Sequence, residues 1–363
     1  MPADFGRRRE ALRRVLADQG CEAILVTDLL NIRYLTGFTG SQAALLVRAA
    51  GEDGTVVCTD GRYVTQVAEQ VPDLPAEIAR ASAVHLLEKA VADGVGSLGF
   101  ESHVVTVDQF RTWEPLVSPS RLVSTPHLVE ALRAIKDEFE IGRLRAACAC
   151  ADAALADLLD QGGLRPGRTE KQVRRDLENL MFDHGADAVS FETIVATGAN
   201  SAVPHHRPTD AVLAHGDFVK LDFGARIGGY HSDMTRTYVL GAAAQWQRDV
   251  YELVARSQAA GRAALVPGTE VAAVDGAARR VIADAGYGDL FVHGLGHGVG
   301  LEIHEAPGIG QRGTGTLSVG AAVTVEPGVY FSGRGGVRIE DTLVVREQGP
   351  ELLTLTDKEL TVV

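Results

Sequence analysis

The stretch "KLDFGARIGGYHSDMTRT", residues 220–237, reads as two β-strands joined through Gly228-Gly229, with one aspartate on each arm, Asp222 and Asp233. Paired glycines supply the positive φ that a two-residue hairpin turn requires. With the turn at those glycines, Asp222 faces Thr235 and Gly224 faces Asp233, so both acids leave one face as diagonal neighbours. Moving the turn one residue earlier sets them directly opposite. Either register brings like charges together, in elements that ordinarily exclude Asp. Solvated acids on an exposed hairpin would suit a polar ribbon, yet "FVKLDFG" and "MTRTYVL" have the apolar content of a buried sheet. Carboxylates held close in such surroundings call for a cation or a proton between them.

Further candidates lie downstream. "FVHGLGHGVGLEIHEAPG" holds His293, His297 and His304. A single histidine is more often a hydrogen-bonded structural residue than a ligand, but three in a glycine-rich segment combine imidazoles with backbone that can approach a ligand closely. The segment lacks the Lys and Ser/Thr of a phosphate-binding loop, and "HEAPG" lacks the second His of a zinc-protease helix. His297 and His304 are seven residues apart, which on an unbroken strand aims them at opposite faces, so a turn or bulge among the glycines is needed to unite them. Glu326 in "AVTVEPGVYF" and Glu340 in "GVRIEDTLVV" sit in apolar β-like runs, where an ionised Glu is costly unless paired or metal-bound. Arg338, two residues before Glu340, offers a same-face salt bridge that is compatible with a metal role. Four carboxylates and a histidine make an oxygen-rich donor set that suits Mn²⁺ or Co²⁺ and accepts Zn²⁺. Two such dications would activate a water to attack an amide.

Composition narrows the rest. The 363 residues carry a formal charge of −13, with 45% hydrophobic and 23% charged residues, so a soluble globular protein of about two domains is expected. The charge disfavours nucleic acid and anionic membrane as partners. The N-terminal segment has no signal-peptide core and no stretch reaches membrane-spanning length, so a cytoplasmic location is expected. Cys148 and Cys150, two apart on a helical stretch, point in different directions; with Cys21 and Cys58 they read as reduced structural thiols.

Along the chain, "FGRRREALRRVLADQG" reads as an amphipathic helix ended by Gly20, and "EAILVTD", "AALLVRA", "GTVVCTDGRYV" and "GSLGFES" as strands. This α/β pattern gives an N-terminal domain over residues 1–124, with a polar, proline-bearing link and then a helical run from about Val129 to Gln161. Residues 125–363 form the second domain. Within it, "PGRTEKQVRRDLENLMFDHGA" from Pro166 echoes "PGTEVAAVDGAARRVIADAGY" from Pro267, each with Pro-Gly, a Thr able to cap, one helix and a glycine. The first also has the capping-box pair Thr169 and Gln172. Two similar α+β halves around a shared site are therefore expected.

The ordered series "LDFG", "HSDMTRT", "GLGHGVGLEIHE", "TVEPGVY" and "RIEDT" resembles the pita-bread metallopeptidases, in the proline-specific branch of aminopeptidase P and prolidase. "LNIRYLTGFTGSQAALLV" and "CTDGRYVTQ" resemble the N-terminal domain of that branch, which is creatinase-like with a ribonuclease H-like α/β fold. The resemblance implies an α+β pita-bread catalytic domain with pseudo-two-fold halves. It further implies two divalent metal ions, manganese first, with Asp222, Asp233, His297, Glu326 and Glu340 as ligands, and Asp233 and Glu340 bridging. His205, the histidine directly after the proline in "NSAVPHH", and His304 are implied as catalytic, and Glu326 as a proton shuttle. His293 and Arg338 would meet the substrate or steady the bridging acid. The implied activity is release of the N-terminal residue from peptides with proline second, the dipeptidase reaction being the alternative, in a homodimer. The full ligand set argues against a metal-free creatinase-like hydrolase or a non-catalytic binding protein, and the large N-terminal domain against methionine aminopeptidase.

Overall fold

A computed structural model describes residues 3–363. The chain divides into two compact units between Arg133 and Ala134.

In the first unit, the helix Phe5–Asp18 begins at Asp4, whose carboxylate accepts from the Arg7 N–H, and ends before Gly20 in the left-handed region at φ 66°. One sheet of six strands follows, in spatial order Ala76–Ile78, Val56–Thr59, Ala43–Arg48, Ala23–Val26, Ser97–Phe100, Arg121–Ser124. The strand Ala23–Val26 pairs antiparallel with Ala43–Arg48 and parallel with Ser97–Phe100. Its continuous run of buried apolar residues is what a strand covered on both faces requires.

The boundary expected near Ser124 falls later because the short helix Leu128–Arg133 belongs to this first unit. Asn31 donates to Glu130 at 2.8 Å and accepts from Arg133 at 2.9 Å, which ties that helix in place. The single helical run expected from Val129 is for the same reason two helices, Leu128–Arg133 and Glu138–Asp160. Between them Ile135 forms a β-bridge with Ala321 and the Lys136 N–H bonds Gly320 O, so these backbone groups leave the helical ladder. Asp137 restarts the helix with a capping box to Glu140.

The second unit repeats an arrangement. In its first half the helices Glu138–Asp160 and Glu170–Asp183 back a sheet of Ile194–Thr197, Phe218–Phe223 and Met234–Val239. In its second half the helices Gln245–Ala263 and Val271–Asp284 back a five-stranded sheet containing Gly296–Gly298, Ala322–Val325 and Asp341–Val344. The echo seen in sequence is structural. Gly167 and Gly268 have φ of 90° and 83°, and Gly185 and Gly286, after the two helices, 94° and 85°. The caps differ from expectation, however: Thr169 and Gln172 form the capping box, whereas the second helix starts from Glu270 with no side-chain cap.

The four cysteines are buried and unbridged, in agreement with structural thiols. No described helix is long and apolar enough to cross a membrane.

Candidate active site

The hairpin adopts the first of its two registers. Asp222 stands opposite Thr235, and the turn residues Gly228 and Gly229 both have positive φ, 58° and 85°. Gly224 lies two residues after Asp222, and a Cβ there would lie 1.8 Å from Ser232 O, so the two arms approach too closely for any side chain. Both aspartates are buried.

The remaining acids arrive at strand ends. Glu326 follows Ala322–Val325, and Glu340 lies between Gly335–Arg338 and Asp341–Val344. His297 Nε2 is 3.5 Å from Asp233 Oδ2 and 3.5 Å from Glu326 Oε1. Asp233, His297 and Glu340 each place one donor atom within 4.8 Å of the others. Asp222, Asp233, His297, Glu326 and Glu340 together line one cavity of about 280 Å³, which Phe191, Glu192, Ile194, His205, His206, Arg207, Ile303 and His304 complete.

The spacing of His297 and His304 is resolved by a chain reversal. Gly296–Gly298 pairs antiparallel with Glu305–Ile309, with a register irregularity at the glycines, and the two imidazoles meet edge to face with centroids 4.4 Å apart. A Cβ at Gly296 would lie 2.1 Å from Thr324 O and one at Gly298 2.1 Å from Ala306 O, so only glycine permits this approach.

His205 and His206 differ in environment. His206 Nε2 bonds the fully buried Glu170 at 2.8 Å, and Glu170 also accepts from Thr197, Asn200 and Thr209. His205 is exposed at the cavity. Their loop is held by Lys220, whose buried ammonium donates to the carbonyls of Ser201, Val203 and Pro204 at 3.2, 2.7 and 3.2 Å. Burial, reinforced by Arg338, drives the Lys220 pKa well down.

Arg338 and His293 are not among the lining residues; the bonds of Arg338 reach Asp222 and Thr235, the geometry of a residue that steadies the acids. Arg338 is buried and spends its donors on Asp222 Oδ2, on Thr235 Oγ1 at 3.0 Å, on Tyr330 OH at 2.9 Å and on Pro204 O at 3.2 Å. His293 bonds Tyr330 OH at 2.8 Å. Thr235 in turn donates to Glu340 Oε2 at 2.7 Å. Thr235, Tyr330, Lys220 and Glu170 were missed in the sequence. Only Thr235 left a signal there, its same-face spacing from Asp233.

Comparison with known proteins gives the same picture. Residues 142–347 match the model of metallopeptidase family M24, and residues 8–135 that of the creatinase/prolidase N-terminal domain. The chain belongs to metallopeptidase family M24. The M24 peptidase described here is 32% identical to a Xaa-Pro dipeptidase of Pyrococcus furiosus over 97% of this chain and 99% of the relative. Its fold superposes with TM-score 0.94 on a Xaa-Pro dipeptidase from Bacillus anthracis, at 37% identity, covering 99% of this chain and 100% of that one. It also superposes with TM-score 0.89 on an X-Pro aminopeptidase from Thermotoga maritima, at 32% identity, covering 98% and 99%. The expected pita-bread class, with its creatinase-like N-terminal domain, is therefore correct.

The electrostatics of this M24 peptidase fit a cationic guest. Burial, then the charges of Glu340, Asp222 and Glu326, pushes Asp233 far above the ordinary carboxylate range. Glu340 rises likewise through burial and then Glu326 and Asp222. Glu326 is pushed up to about 8, chiefly by burial and against the pull of Arg338. Burial lowers His297 to about 4, which keeps its ring nitrogen free as a ligand. Asp222 Oδ1 is buried without a hydrogen-bond partner. A buried oxygen left in this way, among acids that otherwise need protons, fits a divalent cation as the missing partner.

Proposed function

We propose that the M24 peptidase hydrolyses the Xaa-Pro peptide bond with two divalent ions that Asp222, Asp233, His297, Glu326 and Glu340 would hold, Asp233 and Glu340 being the acids placed with His297 at the centre of the set. The observation that carries the metal set is the convergence of four carboxylates and one imidazole on a single cavity, with Asp222 Oδ1 orphaned beside them. Manganese is the proposed ion, cobalt and zinc being compatible with the same oxygen-rich donors. When bound, the ions supply charge neutralisation and a water acidified toward neutral pH.

The chain's own residues then have distinct tasks. Glu326, at the cavity beside His297, would take up a proton at an Oε atom and pass it toward the leaving proline nitrogen. His304, its imidazole lowered by burial and so neutral, donates a hydrogen bond to the carbonyl oxygen as negative charge builds there. His205, exposed at the cavity, meets the substrate from the opposite loop. Ile194, Phe191 and Ile303 provide apolar wall for a pyrrolidine ring. A Xaa-Pro bond has no N–H, so a site for it needs no acceptor facing the scissile nitrogen.

Dipeptidase and aminopeptidase remain two readings of this one site. Relatives carry both names, and Arg207, the one Arg or Lys among the cavity-lining residues, is paired at 3.1 Å with Glu192 of the same lining, so the lining charge favours neither. A homodimer acting in the cytoplasm completes the proposal, the four reduced thiols suiting a reducing compartment. The deciding experiment compares Ala-Pro with Ala-Pro-Ala on Mn²⁺-loaded enzyme. Cleavage of either supports the proposal, their ratio assigns the reaction, and inertness toward both, with metal bound, refutes it.

A further inference from the structure

We propose that His103, His127 and Glu130, all in the first unit, form a second divalent-metal site, a His₂Glu set suited to Zn²⁺. Each of the three places a donor atom within 4.8 Å of the other two. His103 comes from the loop after the strand Ser97–Phe100, whereas His127 and Glu130 come from the start of the helix Leu128–Arg133. His127, at a left-handed φ of 57°, precedes the helix directly and reaches the same cluster as Glu130 in its first turn. The two imidazoles lie with centroids 4.0 Å apart and planes at 40°, and His103 Nε2 is 2.8 Å from Glu130 Oε1.

Two groups, one of them a buried carboxylate oxygen, point to a missing partner. Glu130 Oε2 is buried and has no hydrogen bond, and the His127 ring nitrogens make none among the described residues. A buried carboxylate oxygen without a hydrogen bond is costly, and the exposed His127 ring beside it leaves its nitrogens available to a ligand. A cation satisfies both at once. The carboxylate is ready for it: burial raises the Glu130 pKa, but hydrogen bonds from Asn31 and His103 outweigh this and hold it below the ordinary range. Asn31 also fixes the carboxylate from behind. Its Nδ2 donates to Glu130 Oε1 at 2.8 Å and to Glu101 at 2.7 Å, while its Oδ1 accepts from Arg133 at 2.9 Å. Such outer contacts orient a ligand and strengthen its basicity.

Without metal, His103 donates from Nε2 to Glu130 and accepts the His127 N–H at Nδ1 over 3.3 Å. Metal at Nε2 moves that ring proton to Nδ1, so shared coordination replaces the 2.8 Å hydrogen bond to Glu130 and the long contact to the His127 N–H is given up as well. Two nitrogens and one oxygen favour zinc over magnesium or calcium, with the fourth position open to water on the exposed side. The bound ion would pin the loop after Phe100 to the first turn of the helix.

The test is a metal count on the full-length protein. Wild type and His103→Gln/His127→Gln are equilibrated with Zn²⁺, freed of excess and measured by mass spectrometry of the metal. The expected result is one zinc fewer per chain in the double variant, with peptidase activity unchanged. The single variant His127→Gln, altered only at an exposed ring, keeps the fold and is expected to weaken Zn²⁺ binding at this site at least tenfold by calorimetry. Equal zinc content in wild type and double variant, or an unchanged zinc isotherm in the single variant, overturns the proposal.

Discussion

Arg338 bonds one carboxylate oxygen of Asp222 and leaves the other buried and unpartnered. The guanidinium thereby fixes the direction in which Asp222 presents its free oxygen, and it does the same indirectly for Glu340 through Thr235.

Arg338→Lys is accordingly not a conservative change, because an ammonium cannot reproduce a planar fork that reaches Asp222, Thr235 and Tyr330 together. We expect kcat/KM on a Xaa-Pro substrate to fall about 100-fold or more, the size of loss that misplacing a reacting group produces. Arg338→Ala removes one partner of a buried ion pair and is expected to cost roughly 3–5 kcal/mol in urea unfolding of the metal-free protein. A lysine variant with wild-type kinetics would show that the orientation of Asp222 does not matter.

The neighbouring histidines separate by environment. His205→Ala is expected to lower kcat by about 10²-fold, the scale of a lost proton-transfer or hydrogen-bonding group, with the melting temperature unchanged. His206→Ala leaves Glu170 one partner short inside the protein and is expected to destabilise by about 1–3 kcal/mol. Melting curves and initial rates on the two purified variants decide it. Equal thermal shifts would show that the loop does not distinguish them.

That distinction was only half visible in the sequence. Asp222, Asp233, His297, Glu326 and Glu340 could be listed because a charged residue in an apolar strand has a local signature, while two glycines narrowed the hairpin to two registers, of which the structure adopts one. The bond from His206 to Glu170 spans 36 residues and depends on how a loop folds over a helix start, which no local pattern encodes. Tyr330 is similar: its hydroxyl bridges His293 and Arg338, but in sequence it is an aromatic residue in a strand like any other. The reversal that unites His297 with His304 was legible as a need for a bend, while its form depended on close backbone contacts at Gly296 and Gly298. The helix break at residues 134–137 was not legible, because it is imposed by pairing with Gly320 and Ala321 far along the chain.

Asp233→Asn tests the charge argument from the other direction. The substitution removes a donor shared by the metal set, so metal content and Xaa-Pro cleavage are both expected to be lost. In the metal-free state it also removes a carboxylate pushed far upward by burial and by Glu340, Asp222 and Glu326. The variant is therefore expected to be more stable than metal-free wild type at pH 8–9, by on the order of 1–2 kcal/mol, and closer to it at pH 5, nearer the ordinary aspartate range where the folded and unfolded chains differ less in bound protons. Urea unfolding in chelator at the two pH values checks this. A variant less stable than wild type at the higher pH would mean that the acids are not in electrostatic conflict.

The same charges predict a peaked pH profile for the metal-free protein. Glu326 has a folded pKa of about 8 against an ordinary 4.5, so its contribution to stability is complete below about pH 4.5 and is lost as pH rises through 8. His293 and His297 have folded values of about 4 against an ordinary 6.5, so their contribution is complete above about pH 6.5 and is lost as pH falls through 4. The two ramps overlap, and because two histidines outweigh one glutamate until the unfolded histidines lose their protons, the melting temperature in chelator is expected to be highest at roughly pH 6–7 and to fall on both sides. Cations that replace the carboxyl protons abolish the alkaline ramp, because the charge once held in check by protons is then held by metal. Calorimetric titration of Mn²⁺ at pH 7 in buffers of different ionisation enthalpy is accordingly expected to show net proton release. A flat metal-free profile between pH 6 and 8, together with no proton release, would mean that the acids do not share protons in the absence of metal.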